Sequence, residues 1–277
     1  MKLIIESGST KSDALLIAEK TRHLFQFEGI NPVLENEQSI LLKLESNQLL
    51  QKHKQEINKV YFFGAGCSGV SERKKLKKSL SLFFENMNLC KIETDLYACA
   101  YACYDSKPII ACILGTGSNS CYFDGKKIIE KSSSLGYILG DEGSASNLGK
   151  KLIKQYFYNK LPHELNEKFK KKYKLNKKKL IEKVYQQDKA NLFLASFSKF
   201  LYENKEHSFV QKLIEESFNE FIENHILVYE ESKNSPICFV GSVAFYFQET
   251  LLKCLKTYSL NVGIIIQKPL ENLYNKI

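Results

Sequence analysis

Two stretches of this 277-residue chain have residue types suited to gripping a phosphate group. The first, Glu6-Ser7-Gly8-Ser9-Thr10-Lys11-Ser12, lies between the apolar runs Leu3-Ile4-Ile5 and Ala14-Leu15-Leu16-Ile17-Ala18. Small residues let a backbone approach an anion closely, and successive N–H groups and hydroxyls can wrap its oxygens. Glu6, at the end of the first run, is an oxygen ligand suited to the water shell of Mg²⁺. Taken alone such a Ser/Gly/Thr stretch is more often only a turn. It is not a Walker loop, because G-x-x-x-x-G-K-[ST] is absent and a strand follows instead of a helix. The second, Gly115-Thr116-Gly117-Ser118-Asn119, has the same setting in the second half of the chain. Two such strand–turn–strand units are far more specific than one, since facing hairpins can clamp one nucleotide. A third loop, Gly241-Ser242-Val243, stands before a helix and can flank the base or ribose.

Two acidic positions add reaction chemistry. Asp95 follows a short strand and precedes a helix, where a carboxylate can take a proton from a hydroxyl attacking a γ-phosphate. The same position suits a helix N-cap. In Gly140-Asp141-Glu142-Gly143-Ser144, the acids are either helix-start residues or ligands for sugar hydroxyls and metal.

The elements that must position these residues alternate. Leu3-Ile4-Ile5, residues 14–18 and residues 23–27 read as three strands. Residues 35–54 read as a helix, Lys59-Val60-Tyr61-Phe62-Phe63 as a buried strand stopping at Gly64-Ala65-Gly66, and Ser71 as the cap of a helix reaching about Asn86. A strand at 91–93 and a helix at 96–104 close a first lobe, residues 1–107. Pro108 opens a second, 108–277, with strands at 109–114, 120–123 and 127–130, then helix over most of 142–231, then strands at 237–240 and 262–266. The C-terminal segment is a candidate to pack back on the first lobe. Each half thus opens with hairpin strands and continues with alternating helices and strands: an α/β fold in two lobes.

Composition narrows the class. No apolar run reaches the ~20 residues of a membrane helix, and Glu6 interrupts the N-terminus too early for a signal peptide. A cytoplasmic protein with no membrane partner is expected. The eight cysteines contain no C-x-x-C pair and sit among apolar residues, so buried reduced thiols are expected rather than a metal or disulfide framework. The net charge of +9 rests almost wholly on lysine; Arg22 and Arg73 are the only arginines. Base readout leans on the guanidinium fork, so the lysine-rich run 168–183 is read as solvated helix surface and no nucleic-acid partner is expected.

Taken together these motifs resemble the N-acetylglucosamine kinase-like members of the BadF/BadG/BcrA/BcrD-type ATPase family, in the actin-like ATPase and sugar kinase superfamily. The resemblance covers most of the chain in the family's order, and Gly-Asp-Glu-Gly-Ser matches at 140–144 letter for letter. It implies two ribonuclease H-like lobes closing from either side of a cleft over ATP, Mg²⁺ and a small sugar. By that similarity Glu6, Gly8, Ser9, Thr10 and Lys11 form the first phosphate motif, with Glu6 toward Mg²⁺. Gly115, Thr116 and Gly117 belong to the second motif, and Gly241 and Ser242 to the adenosine loop. Asp95 corresponds to the catalytic base, and Asn31, Ser68, Asn119 and Asp141, with Thr116, fall where members contact sugar. The activity implied is phosphorylation of an amino sugar such as N-acetylglucosamine. Two departures stand out: Ser7-Gly8-Ser9 replaces a run the family tends to fill with glycine, and the chain has no Trp, with Leu135 where some members pack Trp on the N-acetyl group. Glucosamine, N-acetylmuramic acid or another sugar therefore stays open, as does a homodimer. The alternatives are an activating ATPase of the 2-hydroxyacyl-CoA dehydratase type, whose second loop would read Gly-Gly-Gln-Asp, and a non-catalytic sugar sensor.

Overall fold

The computed structural model describes residues 1–8, 11–19 and 21–277. The first apolar run becomes β1 (Lys2–Ser7), pairing antiparallel with β2 (Lys11–Ala18), which pairs antiparallel with β3 (Thr21–Glu28). Leu3, Ile4 and Ile5 are all fully buried, as expected of an unbroken apolar run covered on both faces of a sheet. β3 lies at the sheet edge and is largely exposed. β4 (Lys59–Gly64) lies parallel to β1, and β5 (Leu89–Glu93) parallel to β4, giving the order β3-β2-β1-β4-β5. Parallel neighbours need crossovers, supplied by helices Glu37–Glu45, Gln48–His53 and Val70–Phe83.

Two expectations shift here. The stretch 35–54 is two helices, because the Asn47 side chain accepts from the N–H groups of Leu49 and Leu50 and so caps a new start. Ser71 is not a cap: its helix starts at Val70, with Gly69 at the cap and no side-chain cap bond, and ends at Phe83.

The second sheet repeats this plan. β6 (Ile109–Leu114), β7 (Ser118–Phe123) and β8 (Ile128–Ile129) are antiparallel, and β9 (Ile237–Val240) and β10 (Val262–Ile266) add in parallel, in the order β10-β9-β6-β7-β8. Substituting β6 for β1, β7 for β2 and so on turns one order into the other. The two α/β units share one topology although their sequences are only faintly alike.

One compact unit comprises Met1–Ala102 with Pro269–Ile277, the other Cys103–Lys268. The C-terminal helix Leu270–Tyr274 belongs to the first, with the Arg22 guanidinium 3.8 Å from the Tyr274 ring centroid. The core of the second is organised by helix Ser208–His225, which buries Val210, Leu213, Ile214, Ser217, Phe218, Phe221, Ile222 and His225 along one stripe. The lysine-rich run lies on helices His163–Tyr173 and Lys177–Ile181, which bury Leu165 and Phe169 inward and turn most lysines to solvent. All eight cysteines are free thiols, and all but Cys90 are buried. Among the described residues no helix is long and apolar enough to cross a membrane.

Candidate active site

In the first unit the hairpin joining β1 and β2 carries the first phosphate motif. Glu6 stands opposite Asp13 of β2 and Phe63 of β4, at the carboxyl end of the central strand. Gly8 N–H donates to the Lys11 carbonyl at 3.0 Å. Ser9 and Thr10 lie outside the described residues. The hydroxyls of Ser7 and Ser12 face inward: both residues are fully buried, and Ser12 Oγ donates to Ser7 Oγ at 2.8 Å. Ser7 Oγ also accepts from Ile30 N–H at 2.8 Å. Ser7, where the resemblance led to an expectation of glycine, therefore ties the hairpin to the segment leading into Asn31.

That segment is braced from two sides. Asn31 N–H donates to Glu35 Oε1 at 2.8 Å, and Glu35 pairs with Lys43 at 2.7 Å. Lys75 donates to the carbonyls of Pro32 and Glu35. Asn31 Oδ1 accepts from Val33 N–H at 3.0 Å and lies 2.2 Å from where a Cβ on Gly66 would sit, so the turn after β4 rests directly on Asn31. Arg73 Nε donates to the Cys67 carbonyl at 2.5 Å and fixes the same turn, which leaves Ser68 exposed.

Asp95 is the first residue of helix Asp95–Cys103, one place later than a cap would stand, and its Oδ1 accepts from its neighbour Leu96 N–H at 3.0 Å. The Cys67 thiol is pushed up to about 12, first by burial and then by the Asp95 charge, which marks the carboxylate as a neighbour of the Gly66–Cys67–Ser68 turn. Thr94 Oγ1, just before it, is buried and has no hydrogen-bond partner among the described residues. The first unit thus gathers Asn31, the turn bearing Ser68, and Asp95.

In the second unit the turn is shorter than its motif. β7 begins at Ser118, so Asn119 lies in the strand, where its Oδ1 accepts from Ser120 N–H at 2.8 Å. Gly115 N–H donates to the Gly117 carbonyl at 3.0 Å, and the carbonyls of Gly115 and Thr116 accept from Ala145 and Ser146. Thr116 is exposed at the tip. The Asp141 carboxylate lies against this turn: Ser118 N–H donates to Asp141 Oδ1 at 3.3 Å, and a Cβ on Gly117 would sit 3.0 Å from Asp141 Oδ2. A side chain there would require the Asp141 carboxylate to give way by a few tenths of an ångström.

Gly241 completes the group. At φ +132 it holds a conformation open essentially to glycine alone, and a Cβ there would sit 2.2 Å from the Leu114 carbonyl oxygen and 3.1 Å from Gly115 N. The Gly241-Ser242-Val243 loop, with Ser242 at the start of its helix, therefore lies directly on the base of the Gly115 turn.

Burial works against the charged form of both ionisable groups in this cluster. Burial raises the Asp141 carboxyl above its ordinary range, against the opposing pull of the Ser118 N–H and Lys150. Burial lowers Lys150, against the charges of Asp141 and Glu142, and its Nζ donates to the Tyr137 carbonyl at 2.8 Å. Among the described residues Ser118 Oγ, on a residue only 5% exposed, has no hydrogen-bond partner. A buried hydroxyl without a partner is rare in a finished core and common where a ligand completes the bonding. Motif reading missed Ser118, Lys150 and His225. Ser118 lay inside a quoted motif, whereas Lys150 is one lysine among many and His225 is 83 positions from its partner Glu142.

The residues fit a nucleotide and a hard cation. Around Gly115 none of the described residues lies within 4 Å of a would-be Cβ, leaving space for a phosphate at the backbone. Among the described residues no three His, Cys, Asp or Glu side chains come together as a metal cage. Mg²⁺ needs none, since one carboxylate, phosphate oxygens and water fill its shell.

No family model and no curated protein sequence matches the chain. Solved structures do. A Porphyromonas gingivalis protein provisionally named an N-acetylglucosamine kinase is 37% identical, with a TM-score of 0.95 over 100% of this chain and 98% of that one. A Chromobacterium violaceum protein provisionally given the same name has a TM-score of 0.66 at 14% identity, covering 98% of this chain and 96% of that one. A ROK family glucokinase from Streptomyces griseus, solved with glucose and AMPPNP, scores 0.58 at 12% identity, with coverage of 98% and 96%. The last two share the fold alone. The first shares sequence along the full length of both chains, and on that ground this chain belongs to the N-acetylglucosamine kinase-like family of sugar kinases, within the actin-like ATPase superfamily.

Proposed function

We propose that this chain is an ATP-dependent kinase that transfers the γ-phosphoryl group of ATP to a hydroxyl of an amino sugar such as N-acetylglucosamine. The observation that carries the reading is the second-unit cluster: a glycine turn open to a phosphate, an unpartnered buried Ser118 hydroxyl and the Asp141 carboxylate at its wall, with the Gly241 loop at its base. Family membership and a glucokinase of the same fold that holds glucose and AMPPNP support it.

In this reading Thr116 and Gly117 serve phosphate oxygens at the open space beside Gly115, and Gly8, Ser9, Thr10 and Lys11 make up the first phosphate motif. Gly241 and Ser242 flank the adenosine. Asn31, Ser68, Asn119 and Asp141 hold the sugar hydroxyls. Asp95 orients the attacking hydroxyl and takes its proton as the new O–P bond forms and ADP departs. Such transfers are accelerated mainly by alignment and charge neutralisation. Glu6 would hold Mg²⁺ through its water shell, and the cation supplies the neutralisation of phosphate charge when bound.

The test measures ADP release with glucosamine, N-acetylglucosamine, N-acetylmuramic acid and glucose as acceptors. Turnover with at least one amino sugar is expected, and absence of ADP release with all four refutes the kinase reading. Calorimetric binding of a sugar in the absence of turnover would instead identify a sensor.

A further inference from the structure

His225 is the most engaged polar side chain near the cluster, and the phosphoryl-transfer reading gives it no role. It ends helix Ser208–His225 and is 4% exposed, with its ring stacked on Phe221 at 5.0 Å between centroids. Both ring nitrogens are used. Nε2 lies 3.1 Å from Glu142 Oε2, and Nδ1 lies 2.8 Å from Ser132 Oγ. Its backbone carbonyl accepts from Ser120 Oγ at 2.7 Å, one residue after Asn119. The imidazole thereby joins the turn carrying Asp141 and Glu142 to the segment leading from β8 toward Leu135, and the backbone of the same residue adds the strand carrying Ser118 and Asn119.

The neighbouring backbone shows why such a brace is needed. Asp141 sits at φ +59, a conformation that costs energy for a residue with a side chain. Its carboxylate bears on Ser118 through a single long N–H bond of 3.3 Å. Glu142 is the next residue, so the position of its carboxylate limits the rotation of the Asp141 peptide. On the far side Gly143 N–H donates to Ser217 Oγ of helix Ser208–His225 at 3.2 Å, and Ser217 Oγ donates on to Asn147 Oδ1 of helix Ala145–Phe157 at 2.8 Å. Helix Ser208–His225 therefore grips the turn at two points one residue apart, Glu142 and Gly143.

We infer that His225 is a positioning residue for the sugar site: through Glu142 it holds Asp141 against the Gly115 turn, and through Ser132 it anchors the wall that continues to Leu135. This rests on the reading of Asp141 as a sugar ligand. His225 touches neither substrate nor nucleotide in this scheme, so its removal acts on sugar binding and spares ATP.

The experiment compares wild type, His225→Ala and His225→Gln in steady-state kinetics, varying N-acetylglucosamine and ATP separately. Loss of a hydrogen bond to a charged group predicts a rise of about tenfold or more in the sugar KM for His225→Ala, with the ATP KM unchanged. His225→Gln keeps an N–H donor for Glu142 and should recover most of that loss. Equal rises in both KM values, a fall in kcat alone, or no rescue by glutamine overturns the inference. Should wild type turn over none of the sugars, the kinase reading fails, and positioning is then read from amide hydrogen exchange. Faster exchange over residues 117–119 and 140–147 in His225→Ala, reversed in His225→Gln, supports it. Unchanged exchange there overturns it.

Discussion

A pair of glycine substitutions in the second unit separates binding from folding. At Gly115 a Cβ meets nothing within 4 Å, and φ lies outside the left-handed range, so alanine fits the protein without strain. Restricting the unfolded chain should then raise stability by about 0.4–1 kcal/mol. The only thing the new methyl can obstruct is a ligand. If a phosphate approaches that backbone, Gly115→Ala should raise the ATP KM by about tenfold or more, equivalent to about 1.4 kcal/mol of lost binding. Gly241→Ala is the opposite case. Its backbone costs a side-chain residue about 1–3 kcal/mol, and the Leu114 carbonyl 2.2 Å from the new Cβ must also move. Together these set a loss of about 3 kcal/mol or more. That corresponds to a fall in Tm of about 6–12 °C for a unit of this size. The assay is differential scanning calorimetry beside ADP-release kinetics on the same preparations. A Gly115→Ala protein with full stability and an unchanged ATP KM would refute the phosphate role of this turn; an unaffected Gly241→Ala protein would refute the packing of the two loops.

Three other variants extend the test. Asp95→Ala should lower kcat about 10²–10⁴-fold, the range for loss of a general base, while calorimetry shows ATP binding retained; near-normal turnover removes Asp95 from that role. Ser7→Gly strands the buried Ile30 N–H and breaks the bond from Ser12, costing about 1–3 kcal/mol with the ATP KM little changed. A shifted KM at unchanged stability would mean that the hydroxyl serves the nucleotide instead. For Asp141, burial holds the folded carboxyl above its unfolded value, so the folded state binds more protons over the interval between the two. The carboxyl therefore costs stability as pH rises from the ordinary aspartate range through the raised value. Asp141→Asn, which tolerates the positive φ, should match wild type at pH 3 and be more stable at pH 8 while binding sugar less well, as thermal melts and kinetics can check. Equal melting temperatures at both pH values would contradict it.

Much of the scaffold was legible in order. Short unbroken apolar runs such as Ile109–Leu114 and Ile237–Val240 read as strands covered on both faces, and the small-residue stretches that follow them as turns, as the structure has them. The alternation of strand and helix then required an α/β fold, and the Gly-Asp-Glu-Gly-Ser letters pointed to the family. Local signals failed where competing chemistry was equally local. Asn47 and Gly69 outbid the residues expected to set helix boundaries, because a cap is decided by which side chain or backbone reaches the first N–H groups.

Sequence alone established which residue types could grip phosphate and take a proton, since those capacities belong to the side chains themselves. Tertiary structure decided how they are used. It turned the hydroxyls of Ser7 and Ser12 inward, left that of Ser118 buried and open, and set Gly241 on Leu114 and Asp141 against Gly117. It also brought His225 to Glu142 across 83 residues. Those arrangements depend on strand order and helix packing at long range, where close packing, not the identity of neighbours along the chain, determines which atoms meet.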